Sequence, residues 1–319
     1  MEGRKVAIIG DGAVGSTCAY TLMLGHAVNE IVIVDVNKDK AEGDALDMSE
    51  GMSFVSVPKN VHSGDYPDIK GSHIIVITAG AGQKPGETRL DLLKKNAGIM
   101  TGICDEIKPY LEKDTIVLVV SNPVDILTYL VYKRLGLPSK QVIGSGTVLD
   151  TSRLKVAISE DTKIDPRSIH TFVVGEHGDS EVAVWSATYV GGLSLIDYCA
   201  KCGKCEGKNM TRLRDLHKRV RESAYRIIEK KGATFYAVAL AVQRIVGAIL
   251  NDENSVLTVS AYLEKEFGGM LEDVYLSLPC VVNGRGIEQI LRPNYSQEEK
   301  SAIIGSGQAL KDKMKEIGL

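Results

Sequence analysis

Short, wholly apolar runs alternate with amphipathic stretches through the first half of the chain. Residues 6–10 form a β-branched run ending in glycine, and 31–35, 73–79 and 116–120 are of the same kind. Runs that are apolar on both alternating faces predict strands buried on both sides. Between them, 13–24, 41–49 and 89–110 carry apolar residues at helical spacing. Strands alternating with helices predict a parallel sheet covered by helices on both faces.

The second half has another texture. Residues 150–160 read as helix, and 168–175 as a strand leading into a polar turn. A charged helix with an apolar stripe follows at 208–231, Gly232 interrupts it, and 234–250 continues as a more apolar helix. Strand-like runs occupy 256–262 and 274–282, and a charged helix closes the chain at 297–317. The expected organisation is an α/β domain over 1–144 and an α+β domain over 145–319, divided near Gly144 without a recognisable linker.

Composition narrows the function. Apolar residues make up 44% and charged residues 25% of 319, with a net charge of −3. That is an ordinary globular balance, unlike a disordered or collagen-like chain. No basic tract or aromatic ladder points to nucleic acid. No charged leader with an apolar core and no bilayer-length apolar stretch is present, so a cytoplasmic protein without a membrane partner is expected. The six cysteines are then expected as free thiols.

Gly10-Asp11-Gly12-Ala13-Val14-Gly15 follows the first predicted strand and opens the first predicted helix. Gly10 suits a tight turn, Gly12 a close backbone approach to a pyrophosphate, and Gly15 close helix–strand packing. The helix N-terminus then offers N–H groups to the phosphates. Asp35 ends the second strand 20 residues after Gly15. A carboxylate there accepts from both adenosine ribose hydroxyls and repels a 2′-phosphate, which favours NAD over NADP.

Gly175-Glu176-His177-Gly178-Asp179-Ser180 follows a predicted strand. A histidine between glycines on a polar turn suits proton exchange near neutral pH. Hydride transfer to a ketone needs such an acid, because the carbonyl oxygen gains a proton as carbon gains the hydride. Asp150 is a candidate to orient one ring nitrogen.

These motifs, with Gln83-Lys84-Pro85-Gly86-Glu87-Thr88-Arg89, Ser121-Asn122-Pro123-Val124-Asp125 and Leu149-Asp150-Thr151-Ser152-Arg153, give the whole chain its resemblance to the L-lactate/L-malate dehydrogenase family, and within it to the bacterial lactate dehydrogenases. The resemblance implies a Rossmann doubly wound parallel sheet followed by an α+β substrate domain, with NAD as cofactor. His177 would exchange the proton, with Asp150 stabilising its imidazolium form. Arg153 would hold the substrate carboxylate through two parallel hydrogen bonds. Arg89, at the end of a closing loop, would polarise the ketone. Asn122, Asp125 and Thr234 would complete the substrate site, and Val14, Lys40, Tyr66, Gly80, Ala81 and Asn122 the NAD site. Gln83 stands where the malate enzymes of the family carry arginine. A neutral side chain there leaves a second substrate carboxylate without a countercharge, so pyruvate and L-lactate are the expected substrates rather than oxaloacetate and malate.

Three further readings accompany this one. Tyr129 and Lys133 match the Tyr-x-x-x-Lys pair of short-chain dehydrogenases, but their helical setting and the different glycine pattern make them structural. Cys199, Cys202 and Cys205 have the spacing of part of a metal knuckle, against the default of three reduced thiols. A non-catalytic protein on the same fold is disfavoured, because His177, Asp150, Arg153 and Arg89 are all in place. The resemblance also implies a homotetramer with a fructose 1,6-bisphosphate site between subunits, formed by Lys155, where arginine is usual, and His170. Against it stands a solvated lysine and an interior strand histidine.

Overall fold

The computed structural model describes residues 3–82, 86–201 and 210–319. Its strands are β1 (Lys5–Ile9), β2 (Glu30–Val34), β3 (Asn60–Ser63), β4 (Ile74–Ile77), β5 (Ile116–Val119), β6 (Val142–Gly144), β7 (Ile169–His170), β8 (Val173–Val174), β9 (Val182–Ala183), β10 (Tyr189–Val190), β11 (Leu193–Ser194), β12 (Ser255–Leu263), β13 (Val274–Asn283) and β14 (Gly286–Ile290). Its helices are α1 (Ala13–Leu24), α2 (Lys38–Glu50), α3 (Arg89–Ile107), α4 (Val124–Leu135), α5 (Val148–Thr162), α6 (Leu195–Lys201), α7 (Met210–Lys231), α8 (Tyr236–Leu250) and α9 (Gln297–Glu316).

The first six strands run parallel in the order β3-β2-β1-β4-β5-β6. Their apolar character follows from what each face meets. Val6, Ile8, Ile31, Ile33, Ile74 and Val76 pack with Cys18 and Leu22 of α1 and Val242 and Ile245 of α8. The intervening Ala7, Ile9, Val32, Val34, Ile75 and Ile77 pack with Met100 and Ile103 of α3 and Leu127 and Val131 of α4. β1, β2 and β4 thus feed two cores, and beyond the first residues Lys5 and Glu30 they carry no polar residue. The strand order reverses between β1 and β4, and a crevice opens beyond their C-terminal ends.

The runs at 256–262 and 274–282 do not build a sheet of their own. β12, β13 and β14 continue the parallel sheet to nine strands, joined antiparallel at Ser260 opposite Gly144. Gly144 permits this: a Cβ there would lie 2.6 Å from Thr128 Oγ1 and 2.7 Å from Ser260 Cβ. The expected strand at 168–175 is two short pieces, β7 and β8, and Gly175 turns out of β8 at φ 92°. Helix α7 lays Leu216 and Val220 on Leu154, Ala157 and Ile158 of α5. No helix among the described residues is long and apolar enough to cross a membrane.

Candidate active site

At the switch point the three glycines have distinct surroundings. Gly10 takes φ 103°, and a Cβ on it would lie 2.5 Å from the Ala79 nitrogen. A Cβ on Gly15 would collide with the Gly10 carbonyl oxygen and lie 2.8 Å from Thr78 Oγ1. Nothing lies within 4 Å of a Cβ built on Gly12, the N-cap of α1, which has no side-chain cap. A closely packed turn beneath an open, uncapped helix start fits a pyrophosphate. Half-buried Val14 lies on the first turn of this helix.

Asp35 is held at both oxygens, by the Asp11 N–H at 2.5 Å and the Asn37 N–H at 2.8 Å. Its orientation is therefore fixed before any ribose arrives. Tyr66 begins the 3-10 turn Tyr66–Ile69 and is half-buried. Lys40 Nζ donates to the Asp11 carbonyl at 2.5 Å, Asp11 Oδ2 at 2.9 Å and Asp44 Oδ2 at 2.6 Å. Gly80 and Ala81 follow β4, and Asn122 follows β5. Asn96 of α3 ties them together: Oδ1 accepts from the Ala81 N–H at 2.8 Å, and Nδ2 donates to the Asn122 carbonyl at 3.0 Å. Sequence reasoning missed Asn96. Its signal was a polar residue among Leu93, Met100 and Ile103 on the buried face of α3.

The histidine and aspartate expected to exchange the proton come from two elements. Asp150 lies in the first turn of α5 with its side chain 3% exposed. His177 Nδ1 is 2.5 Å from Asp150 Oδ2, and Arg153 Nη1 donates to Asp150 Oδ1 at 2.6 Å. The carboxylate is thus bracketed by two cationic groups. It pushes the His177 pKa up to about 9 against the opposing effect of burial. Burial would raise the pKa of Asp150, but His177 and Arg153 outweigh it and hold the carboxyl below its ordinary range. With Nδ1 engaged by Asp150, Nε2 is the ring nitrogen left for another partner.

Behind the ring, Asp125 is 2% exposed and has both oxygens engaged. The His177 N–H donates to Oδ2 at 2.9 Å and Ser260 Oγ to Oδ1 at 2.5 Å. Asp125 was expected among the substrate contacts; it instead anchors the backbone of the histidine turn. The missed Ser260 sits on β12 where it meets β6, so the junction of the antiparallel with the parallel strands also fixes the site. The turn is tied to α9 as well, through the Glu176 N–H to Ser306 Oγ at 2.8 Å and Glu176 Oε1 to Lys313 Nζ at 2.5 Å. Glu181, with a side chain 3% exposed, faces His217 of α7 at 3.2 Å.

Arg89 is not gathered with His177. It is the first residue of α3, set by a capping box between Thr88 and Asp91. Its guanidinium reaches Asp179 Oδ2 at 3.0 Å, on the outer side of the histidine turn. Thr234 lies between α7 and α8, just ahead of the helix that the sequence was expected to begin there. Gln83, Cys202 and Cys205 fall outside the described residues, and Cys199 is half-buried on α6. Tyr129 and Lys133 both bind Asp273, at 2.9 and 2.8 Å, far along the chain from the histidine turn. Lys155 is half-buried and His170 exposed, and both line one cavity of about 540 Å³.

A dinucleotide crevice with a carboxylate-held imidazole facing it defines an NAD-dependent oxidoreductase. The models of the lactate/malate dehydrogenase NAD-binding domain and α/β C-terminal domain match residues 4–144 and 147–318, and the chain belongs to that family. It is 52% identical to L-lactate dehydrogenase 1 of Clostridium acetobutylicum over 317 residues, covering 99% of each chain. It is 49% identical to the L-lactate dehydrogenase of Acetivibrio thermocellus, covering 99% of this chain and 98% of that one. Among solved structures, the minor L-lactate dehydrogenase of Enterococcus mundtii in its ligand-bound form superposes with a TM-score of 0.95 at 42% identity, covering 99% of each chain.

Proposed function

We propose that this chain is an NAD-dependent L-lactate dehydrogenase, interconverting pyruvate and L-lactate in fermentative glycolysis in the cytoplasm. The observation that carries the reading is the Arg153–Asp150–His177 cluster, a proton donor and a carboxylate-binding cation sharing one buried anion. NADH supplies the hydride. His177 gives its Nε2 proton to the ketone oxygen as the hydride reaches carbon, and Asp150 stabilises the imidazolium until then. Arg153 keeps guanidinium hydrogens for the pyruvate carboxylate while one binds Asp150. Arg89 swings from Asp179 to the ketone oxygen when the loop before α3 closes. Asn122 orients the substrate, Thr234 borders it, and Gln83 rejects a second carboxylate.

The same reading extends to a homotetramer regulated by fructose 1,6-bisphosphate at Lys155 and His170. Its support is the cavity these residues line with Arg244. Burial lowers the Lys155 pKa, and the Arg244 charge adds to that. Among the described residues no ion pair to Lys155 or His170 is found.

Following nicotinamide absorbance with NADH and pyruvate, then with oxaloacetate, tests the proposal. Rapid oxidation with pyruvate alone is expected. A preference for oxaloacetate makes the chain a malate dehydrogenase, and inactivity with both a non-catalytic dinucleotide-binding protein.

A further inference from the structure

The residue between the first two glycines of the nucleotide turn carries a buried charge that the reaction does not use. The Asp11 side chain is fully buried, and its Oδ1 has no hydrogen-bond partner. Its Oδ2 and its backbone carbonyl both accept from Lys40, and Asp44 takes the remaining hydrogen of that ammonium. An ammonium has three hydrogens and no acceptor capacity, so Lys40 is saturated. The N–H of the same Asp11 donates to Asp35. Asp11 thus stands between the carboxylate that receives the adenosine ribose and Lys40 of α2.

The small pocket beside Asp35, about 190 Å³, is otherwise acidic. Glu42, Asp65 and Asp68 line it, with Lys38 paired to Asp65 at 2.6 Å. The Lys38 pair is exposed on both sides and costs little to open, whereas Lys40 is held by a carboxylate out of contact with water.

We propose that Asp11 is a cofactor-specificity residue, which pins Lys40 so that this ammonium is withheld from a 2′-phosphate at the adenosine end of the crevice. The inference rests on the reading of the crevice as an NAD site. Burial pushes the Asp11 pKa up to about 6, so the carboxylate is ionised at pH 8 and the Asp11–Lys40 pair is neutral as a unit. Replacing Asp11 by alanine removes one negative charge beside Asp35 and leaves the Lys40 ammonium held only by Asp44 and the backbone carbonyl of residue 11. Replacing both residues restores the wild-type net charge.

Dissociation constants of NADH and NADPH, measured at pH 8 from nicotinamide fluorescence without substrate, decide the matter. In Asp11→Ala the affinity for NADPH relative to NADH should rise about ten-fold, the effect of one charge worth ~1.4 kcal/mol. The ratio should return to within about three-fold of wild type in Asp11→Ala/Lys40→Ala, as pairwise coupling requires. Lys38→Ala added to Asp11→Ala should leave the gain in place. Asp11→Asn removes the charge but keeps the size of the side chain, and serves if Asp11→Ala does not fold. It should shift the ratio in the same direction. An unchanged ratio in the folded single variant, or a gain that survives loss of Lys40, overturns the role of Asp11. Failure of the wild-type protein to bind NADH at all overturns the NAD site and this inference with it.

Discussion

Arg89 Nη1 lies 3.0 Å from Asp179 Oδ2, and the hydroxyl of Tyr225 closes the triangle by donating to Asp179 Oδ1 at 2.8 Å. The three residues come from the start of α3, the histidine turn and α7. The arginine assigned to the ketone is therefore parked two residues from the proton donor. Its side chain is 75% exposed and that of Asp179 60%. A pair this wet contributes at most about 1 kcal/mol, so it holds the guanidinium without trapping it. Asp179→Asn should lower the pyruvate KM by up to about five-fold with little change in kcat. Added salt should lower the wild-type KM and leave that of the variant flat. Steady-state kinetics at several ionic strengths checks this; a KM insensitive to the substitution means the contact does not restrain Arg89.

The Asp150–His177 pair sets the pH dependence. The His177 pKa is raised to about 9 by the Asp150 carboxylate. Pyruvate reduction consumes the protonated ring, so kcat/KM for pyruvate should be flat below pH 9 and fall above it. Lactate oxidation needs the neutral ring and should rise through the same range. For stability the raised histidine value contributes fully below pH 6.5, and that contribution is lost as pH rises through about 9. Asp150→Asn should move the kinetic break toward 6.5 and lower turnover at pH 8. His177→Asn should remove about 10²–10⁴-fold of the rate while NADH binding persists, because the nucleotide turn is untouched. A break that stays near pH 9 in Asp150→Asn contradicts the assignment.

Asp125 trades stability for position. Burial pushes its pKa up to about 6 although His177 and Ser260 both donate to it. A carboxyl with a raised folded pKa is stabilising below its ordinary value of 3.8, and that advantage is lost as pH rises through 6. Asp125→Asn keeps an acceptor for the His177 N–H, offers a donor to Ser260 and removes the buried charge. Its Tm should exceed that of wild type at pH 8 by about 2–4 °C per kcal/mol gained, and the difference should shrink at pH 5. The His177 break should also fall, because a neighbouring anion is gone. Thermal unfolding at the two pH values, with kinetics on the same samples, checks both. A lower Tm at pH 8 means the charge itself holds the turn.

What was legible follows from what periodicity encodes. Strands apolar at every position reveal that both faces are covered, and α1 was read at its observed bounds, 13–24, because a glycine turn fixes its start. Hydropathy says nothing about which edge a strand joins. The runs at 256–262 and 274–282 were recognised as strands, but their attachment to β6 depends on Gly144 meeting Ser260, a contact 116 residues apart in sequence. Motifs named His177, Asp150 and Arg153, which partner one another. They did not reveal the buried supports: Asn96 and Ser260 are ordinary polar residues until the fold places them under the crevice. Asp125 was assigned a direct role because it lies in a motif, and only its burial shows that it faces the protein.

The effector reading of the cavity at Lys155 has a direct test, and the structure sharpens it. Lys155 on α5, His170 on β7 and Arg244 on α8 line one cavity of about 540 Å³. Arg244 is partly compensated by Glu253 at 2.7 Å. Lys155 brings one ammonium where a guanidinium would offer a planar fork, so a bisphosphate should bind less tightly here than at an arginine. Three cationic or titratable groups from three elements repel one another when protonated, and repulsion doubles where two copies meet on a two-fold axis. A polyanion stabilises whichever arrangement brings them together, so fructose 1,6-bisphosphate should favour the assembled, pyruvate-binding state. The pyruvate KM should fall on adding the effector. Lys155→Arg should lower the effector concentration needed, and His170→Ala should abolish the response without changing turnover at saturating pyruvate. Sedimentation with and without the effector should show a shift toward tetramer. A pyruvate saturation curve unmoved by effector on the order of millimolar, in both wild type and Lys155→Arg, means the cavity is not an effector site.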